Sequence, residues 1–351
     1  MATAPGQEAA VMHESIFSQT PPSPAVIDAF LSLLWPPTGN HHPQQNPDEF
    51  GAYFVYFQQE CRQDIANNHA MQTYADLALI LGIIRGNPSA NLTGIRALIK
   101  NTNAVLASDE RKLSLSIELV VRLWLMVSVK IIMPVYRNDF EVSLPWPDDQ
   151  SLSDVLRRHI SQPTASHLSA LDKFSPYFNI VHMRDIAGFR VLWTNNLADH
   201  LTMRGTAIYM FHHVSALKRL RSSVTSNVFL PTSVIDESLA TINLLIPHSI
   251  PRCNAWLTAQ IGHFGLDPDI LYRDAADRSK GVYVYWLERL MTVSESFDRS
   301  KPSSVIQWWH DRRDMGQWWG FWLIVAGIIL TVIFGLIQSI TGILQVIKPS
   351  N

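Results

Sequence analysis

The sequence predicts a mostly α protein, a helical soluble domain followed by one C-terminal transmembrane helix, and three observations carry that expectation. Gln317 to Ile347 contains no charged residue, and from Trp318 to Ile337 the only hydroxyl or amide side chain is that of Thr331. Such a stretch is long enough to cross a hydrocarbon core of roughly 30 Å as a helix. Its twelve Leu, Ile, Val and Phe residues, at about −0.3 to −0.6 kcal/mol each, favour insertion by roughly 5 kcal/mol in sum. Upstream of it, apolar residues recur at helical spacing and no convincing run of alternating strands is found. Proline and Ser/Asn punctuation falls where those helices would start and stop.

Composition bounds the rest. The chain has 351 residues, which after the span leaves enough for one large or two modest globular units. With 28 Lys and Arg against 30 Asp and Glu, there is no field to attract nucleic acid or an acidic partner. Cys61 and Cys253 lie far apart and make no disulfide framework, so a reducing compartment is the simpler reading. No basic segment followed by an apolar one opens the chain, so no secretory signal is expected.

Taken in order, residues 1–24 are Ala, Ser, Pro and Gln with little to bury and are expected to be disordered. Residues 25–136 form a helical region. Ala25 to Trp35 is a short amphipathic helix stopped by Pro36 and Pro37, and the following loop carries His41 and His42, a solvated pair with no third ligand nearby. Phe50 to Arg85 reads as two helices, broken at Asn87 and Pro88, with another helix from Asn91 and a third from Ser108 to Met133. The apolar run Ile117 to Tyr136 rivals the C-terminal span, but Glu118, Arg122 and Lys130 would each cost about 2.5 to 3.5 kcal/mol near a bilayer centre. It is therefore expected to be a core helix ended by Pro134, with Glu118 and Arg122 able to pair one turn apart.

Residues 137–300 form a second helical region of the same soluble unit. Tyr136 to Gln150 is a loop, and Ser151 to Ile160 a helix capped by serine with Arg157 and Arg158 in its last turn. Arg184 to Ile208 and the run to Arg221 are expected to be helical, as are Leu230 to Ile246, Pro251 to Phe264, Leu266 to about Arg278, and Gly281 to Phe297. Residues 301–317 are a Trp-rich juxtamembrane segment and 318–347 the transmembrane helix. Five of the eleven tryptophans fall between Trp308 and Trp322, and Trp318, Trp319 and Trp322 suit a headgroup boundary.

From about Ile117 onward the pieces VVRLWLMVSV, DIAGFRVLWTNNLADHL, YMFHHVSAL, LPTSVIDESLATINLLIP, FDRSKPSSVIQWWHDRRDMGQWWGFW and LTVIFGLIQSITGILQV occur in this order. In these the chain resembles an uncharacterised family of single-span, tail-anchored-like membrane proteins of filamentous fungi. The resemblance covers roughly two-thirds of the chain and implies a helical cytoplasmic domain, a Trp-rich juxtamembrane segment and a C-terminal span. It supplies no catalytic residues. The C-terminus is also faintly similar to the membrane end of CorA-type magnesium channels, but a second span and the Gly-Met-Asn signature are missing, which counts against an oligomeric channel subunit.

The constellation with most chemistry in it is Asp199, His200, His212 and His213. Imidazole and carboxylate could hold a metal, with His200 and His212 as the candidate ligands, but adjacent histidines on a helix point about 100° apart and no HExxH accompanies them. One buried, hydrogen-bonded histidine and one exposed one is the plainer expectation. Arg184, Asp185, Arg190, Asn195, Asn196 and Asp199 form a polar face, expected to be an internal salt-bridge network between packed helices. Lys218, Arg219 and Arg221 could touch anionic lipid or complement a helix C-terminus. No phosphate loop, nucleophile elbow or catalytic cysteine motif is present, so no cofactor and no catalytic residue is expected.

Function is accordingly expected to be a protein-interaction or scaffold role at a membrane. The alternative is a membrane-associated enzyme or accessory protein of a fungal metabolic pathway. Arg299, Lys301, Arg312 and Arg313 precede the span and only Lys348 follows it, which places the N-terminal domain in the cytosol. With about four residues after the span, insertion is expected after translation ends. Membrane lipid is the first partner. Gly327, Thr331, Gly335 and Ser339 recur every fourth residue and would let a second helix, from another copy or another membrane protein, approach closely.

Overall fold

The computed structural model describes residues 12–18, 24–36, 50–131, 142–160, 172–223, 228–271, 277–300 and 315–347. His41, His42, Trp308, Trp309 and the basic residues Lys301, Arg312, Arg313 and Lys348 lie outside them. Twelve α-helices and five short strands are found among the described residues, so the protein is mostly helical.

The first layer is built by α1 (Pro24–Leu34), α2 (Gly51–Glu60), α3 (Tyr74–Gly86), α4 (Leu92–Thr102) and α5 (Glu110–Leu125). Their starts follow from side-chain capping. Thr73 and Asp76 form a reciprocal capping box on α3, Asn91 caps α4, and Asp109 caps α5. Side chains tie the helices together across long separations. Tyr53 donates its hydroxyl to Leu123 O at 2.8 Å, and Trp35 donates Nε1 to Trp124 O at 2.9 Å. Arg85 donates to Leu33 O at 2.6 Å and to Leu34 O, capping the C-terminal carbonyls of α1, with its guanidinium over the Trp124 ring.

Two expectations change here. Residues 12–18 are not loose: Ile16 and Phe17 are buried in the core, and Ile16 N–H bonds to Gln72 O at 3.0 Å. Met12 packs against the same core, and these three apolar side chains anchor the segment. The helix expected to reach Met133 stops instead at Leu125, because Met126 takes a left-handed conformation (φ 53°) and its carbonyl is held by Leu197 N–H at 2.7 Å. Every residue from Leu123 to Val129 is buried, so periodicity carried no boundary signal. Glu118 accepts from Ile131 N–H at 2.7 Å and pairs with Lys130 at 3.4 Å, whereas Arg122 pairs with Glu60 at 2.6 Å.

After α5, β1 (Val129–Lys130) runs parallel to β2 (Leu144–Pro145), and α6 (Leu152–His159) follows with Ser151 as its cap. Then comes α7 (Ile180–Ala187), ended by Gly188 in the left-handed region (φ 69°). The segment expected to continue as helix is instead a sheet of β3 (Arg190–Thr194), β4 (Met203–Arg204) and β5 (Ala207–Phe211), in the order β3-β5-β4. β3 and β5 are parallel, and β4 turns back onto β5 antiparallel through Gly205 at φ 60°. The two glycines and the β-branched and aromatic content of RVLWT and AIYMF were the signal for strands. Helices α8 (Val214–Ser222), α9 (Thr232–Leu245), α10 (Pro251–Phe264) and α11 (Leu287–Arg299) complete the domain. Leu266 to Arg278 is described only in part, with a short 3₁₀ turn at Pro268–Leu271 rather than an α-helix. One apolar cluster runs from Ile16 to Phe297.

Helix α12 (Met315–Ile347) has 33 residues, about 50 Å at the usual rise. Its segment Trp318–Leu344 is the one helix among the described residues long and apolar enough to cross a membrane, and none of it is buried in the protein.

Candidate functional site

Chemistry-bearing residues converge where the C-terminal end of β3 meets α2 and α5. Trp193, Thr194, Asn195 and Asn196 leave the strand there, and Tyr209 of β5 lies beside them. Tyr56 and Glu60 come from α2, Arg122 from α5, and Asp199 from a 3₁₀ turn at Leu197–Asp199. Together they enclose a cleft of about 250 Å3.

Asn196 organises its inner wall. Its Oδ1 accepts from Ser128 N–H at 3.0 Å and Ala198 N–H at 3.1 Å, and its Nδ2 donates to Val142 O at 2.7 Å and Asp199 Oδ2 at 3.0 Å. Asp199 Oδ1 accepts from Val142 N–H at 2.9 Å. All four hydrogen-bonding positions of a buried amide are thereby used. Asn196→Ala is expected to leave several of these donors and acceptors buried without partners, at roughly 1 to 3 kcal/mol each. A fall in urea midpoint too small to report even one such loss would contradict this.

Asn195 rests on a histidine pair. His212 and His213 ring centroids are 4.0 Å apart, and both Nε2 atoms bond to Asn195 Oδ1, at 3.0 and 2.8 Å. His212 Nδ1 accepts from Asp267 N–H at 3.4 Å. Its proton therefore sits on Nε2, and Asn195 must present its oxygen to it. Burial holds His212 at about 4, and holds His213 well below the ordinary imidazole value with the His212 ring adding to the effect. Both rings are neutral. The expectation of one exposed histidine is corrected: His212 follows β5, His213 opens α8, and both are buried.

His200 lies elsewhere. Its Nε2 donates to Thr241 Oγ1 at 2.7 Å, its Nδ1 accepts from Phe211 N–H at 3.2 Å, and its ring stands edge-on to Trp286. Burial pushes it down to about 3, with the Arg289 charge contributing. Each nitrogen of His200 and His212 is thus taken by a protein group, and neither ring offers a metal a lone pair. Among the described residues no three His, Cys, Asp or Glu side chains gather as metal ligands.

Behind the pair, Asp267 Oδ2 accepts from Ser215 N–H at 2.7 Å and Ser215 Oγ at 2.6 Å, which fixes the first turn of α8. Burial raises its carboxyl to about 6, against the lowering by the Ser215 donors.

The remaining sequence candidates are structural in their contacts. Asp185 bridges Arg184 at 2.8 Å and Arg252 of α10 at 2.6 Å, while Arg190 is exposed on β3. Lys218 pairs with Asp269 at 2.9 Å, Arg221 with Asp236 at 2.6 Å, and Arg219 is buried, so the three cations do not make one lipid-facing patch. Cys61 and Cys253 are buried thiols that form no disulfide with each other, and burial pushes the Cys61 thiol well up. Such thiols are poor nucleophiles. On α12, Gly327, Thr331, Gly335 and Ser339 are all exposed, the two glycines face open space, and Thr331 Oγ1 bonds to Gly327 O at 2.9 Å. Trp318 packs edge-on against Trp319 at 5.1 Å and lies 6.2 Å from Trp322.

Tyr56, Glu60, Ser128, Thr194 and Tyr209 are the cleft residues that sequence reasoning missed, and Arg122 was read only as a partner for Glu118. Apart from Thr194, their separation from Asn195 along the chain left nothing local to find them by. No known protein family, curated protein or solved structure matches this chain.

Proposed function

We propose that this protein is a single-pass membrane protein whose helical domain faces the cytosol and serves an interaction or scaffold role. The observation that supports this best is α12, whose 27 residues Trp318–Leu344 are apolar and uncovered by the rest of the chain. In water those side chains would form an exposed apolar surface far beyond what a soluble monomer carries, and lipid is the environment that removes the cost. The basic residues Arg299, Lys301, Arg312 and Arg313 ahead of the span, with Lys348 after it, favour the cytosolic orientation.

Arginine at both Ile329 and Ile333 would cost about 5 to 7 kcal/mol and cancel the roughly 5 kcal/mol favouring insertion. The expected result is that alkaline carbonate leaves the parent chain in the membrane pellet and extracts the variant. A parent chain that is itself extracted would sink the reading. Protease added to intact vesicles should digest the N-terminal domain, and a protected domain would reverse the orientation.

The span is also proposed to pair laterally along Gly327, Thr331, Gly335 and Ser339, with a second copy as the simplest partner. Small residues permit the close backbone approach on which helix packing in lipid depends. Leucine at Gly327 and Gly335 is expected to abolish association in a membrane two-hybrid assay, whereas leucine at Ile329 and Ile333 should leave it intact. Equal signals from the two pairs would reduce the segment to an anchor.

A further inference from the structure

We propose that the cleft between α2, α5 and the end of β3 binds a small, neutral, polyhydroxylated molecule of sugar-ring size. Volume sets the size: about 250 Å3 lies just below the range of roughly 300 to 1,000 Å3 usual for drug-sized ligands.

Charge sets the class. Glu60 and Arg122 close on each other at 2.6 Å, and both Asp199 oxygens accept protein hydrogen bonds, from Val142 N–H and Asn196 Nδ2. The histidines behind Asn195 are neutral. An anion therefore meets a guanidinium already paired. A cation meets Glu60 already in that pair and Asp199 whose charge already acts on the Arg289 guanidinium, so neither finds an unshared counter-charge to repay its desolvation.

The groups left for a ligand are mixed donors and acceptors. Asn195 gives its oxygen to both histidines, which reserves its Nδ2 donors for the cleft it lines. Among the described residues, the Tyr209 hydroxyl makes no hydrogen bond, and Thr194 Oγ1 accepts from Asn196 N–H at 3.1 Å while its own proton is unused. Glu60 Oε1 adds an acceptor beside the ion pair. Hydroxyl groups, which both donate and accept, match such a set one for one. The rings of Tyr56 and Trp193 supply apolar wall for the carbon face of the same molecule. Trp193 is held in place by stacking on Trp256 at 5.9 Å and by its Nε1 bond to Gln260 at 3.3 Å.

The test uses the full chain in nanodiscs and saturation-transfer NMR with a panel of D-hexoses, D-pentoses and myo-inositol as probes. Choline and inorganic phosphate serve as the charged comparisons. At least one neutral polyol is expected to bind saturably. Tyr209→Phe, which removes a hydroxyl that makes no hydrogen bond among the described residues, should weaken that binding about fivefold, the worth of roughly one neutral hydrogen bond. Asn195→Asp keeps an oxygen for both histidines but replaces the donors, and should weaken it by about tenfold or more. Melting of each variant without ligand checks that the domain is intact. Saturable binding by none of the polyols, preference for choline or phosphate, or equal binding by parent and both variants would each overturn the proposal. The last is the signature of polyols acting by exclusion from the surface rather than in a site.

Discussion

Between pH 7 and pH 5 the soluble domain is expected to lose at least about 3 kcal/mol of stability, although its formal charge is close to neutral. His200 and His212 are buried neutral, held at about 3 and about 4 by desolvation. An imidazole with a folded pKa below its unfolded value binds fewer protons when folded. Its contribution is whole above about pH 6.5 and is withdrawn as pH falls through the interval between the two values. At pH 5 that withdrawal is about 2 kcal/mol for each of the two rings. His213 and His69 shift in the same direction, chiefly through burial, and add to the loss.

Asp267 has the opposite sign. Its carboxyl is raised to about 6, so ionisation costs stability at neutral pH and protonation returns about 1 kcal/mol by pH 5. The histidines outweigh it. For a domain of this size the net loss corresponds to a melting temperature lower by on the order of 10 °C. Calorimetry of the full chain in detergent at pH 7, 6 and 5 reads this directly. A melting temperature unchanged across that range would show that the rings are not buried neutral in the folded protein.

Replacing Glu237 with alanine is expected to cost at least about 3 kcal/mol, among the largest losses any single substitution here would bring. Its buried carboxylate accepts from three consecutive backbone N–H groups, those of Val284 at 2.9 Å, Tyr285 at 2.9 and 3.0 Å, and Trp286 at 2.7 Å. These precede α11, so the negative charge also sits at the positive end of that helix. Trp286 depends on the same arrangement: its Nε1 donates to Ser238 Oγ at 2.8 Å, and its ring packs on His200 and lies under Arg289. Without the carboxylate the three donors lose their acceptor, each at roughly 1 to 3 kcal/mol. Glu237→Gln keeps one oxygen and turns an N–H₂ toward a donor, so it should fall between the parent and alanine. A urea midpoint for Glu237→Ala within about 1 kcal/mol of the parent would mean that water reaches those donors.

Several helices, and Ser151 as the cap of α6, could be read directly, and Asn91 marked where α4 starts. The caps Thr73 and Asp109, which also accept a backbone N–H, emerged only from the structure. The sheet could not be read with the same tools. Leu192 and Trp193 satisfied a helical pattern because the neighbouring buried run has apolar residues on every face, and only Gly188 and Gly205 mark where the chain must turn. The polar residues Asn195, Asn196, Asp199, His200, His212 and His213 stood out in the sequence, but the helix expected there gave the wrong geometry. On strands and turns, Asn195 reaches two adjacent imidazoles at once, which no helical arrangement of the same residues would allow.

What the sequence alone determined is α12 and most of the helical repertoire, because transfer to lipid and capping are sums over residues close together in the chain. What tertiary structure decided is the polar partnerships between segments far apart in the chain. Arg122 had Glu118 one turn away and pairs with Glu60 instead; Asp267 meets Ser215, and Glu237 meets the backbone before α11. A buried polar group must find a partner somewhere, and which one it finds depends on how distant segments pack rather than on its neighbours in sequence.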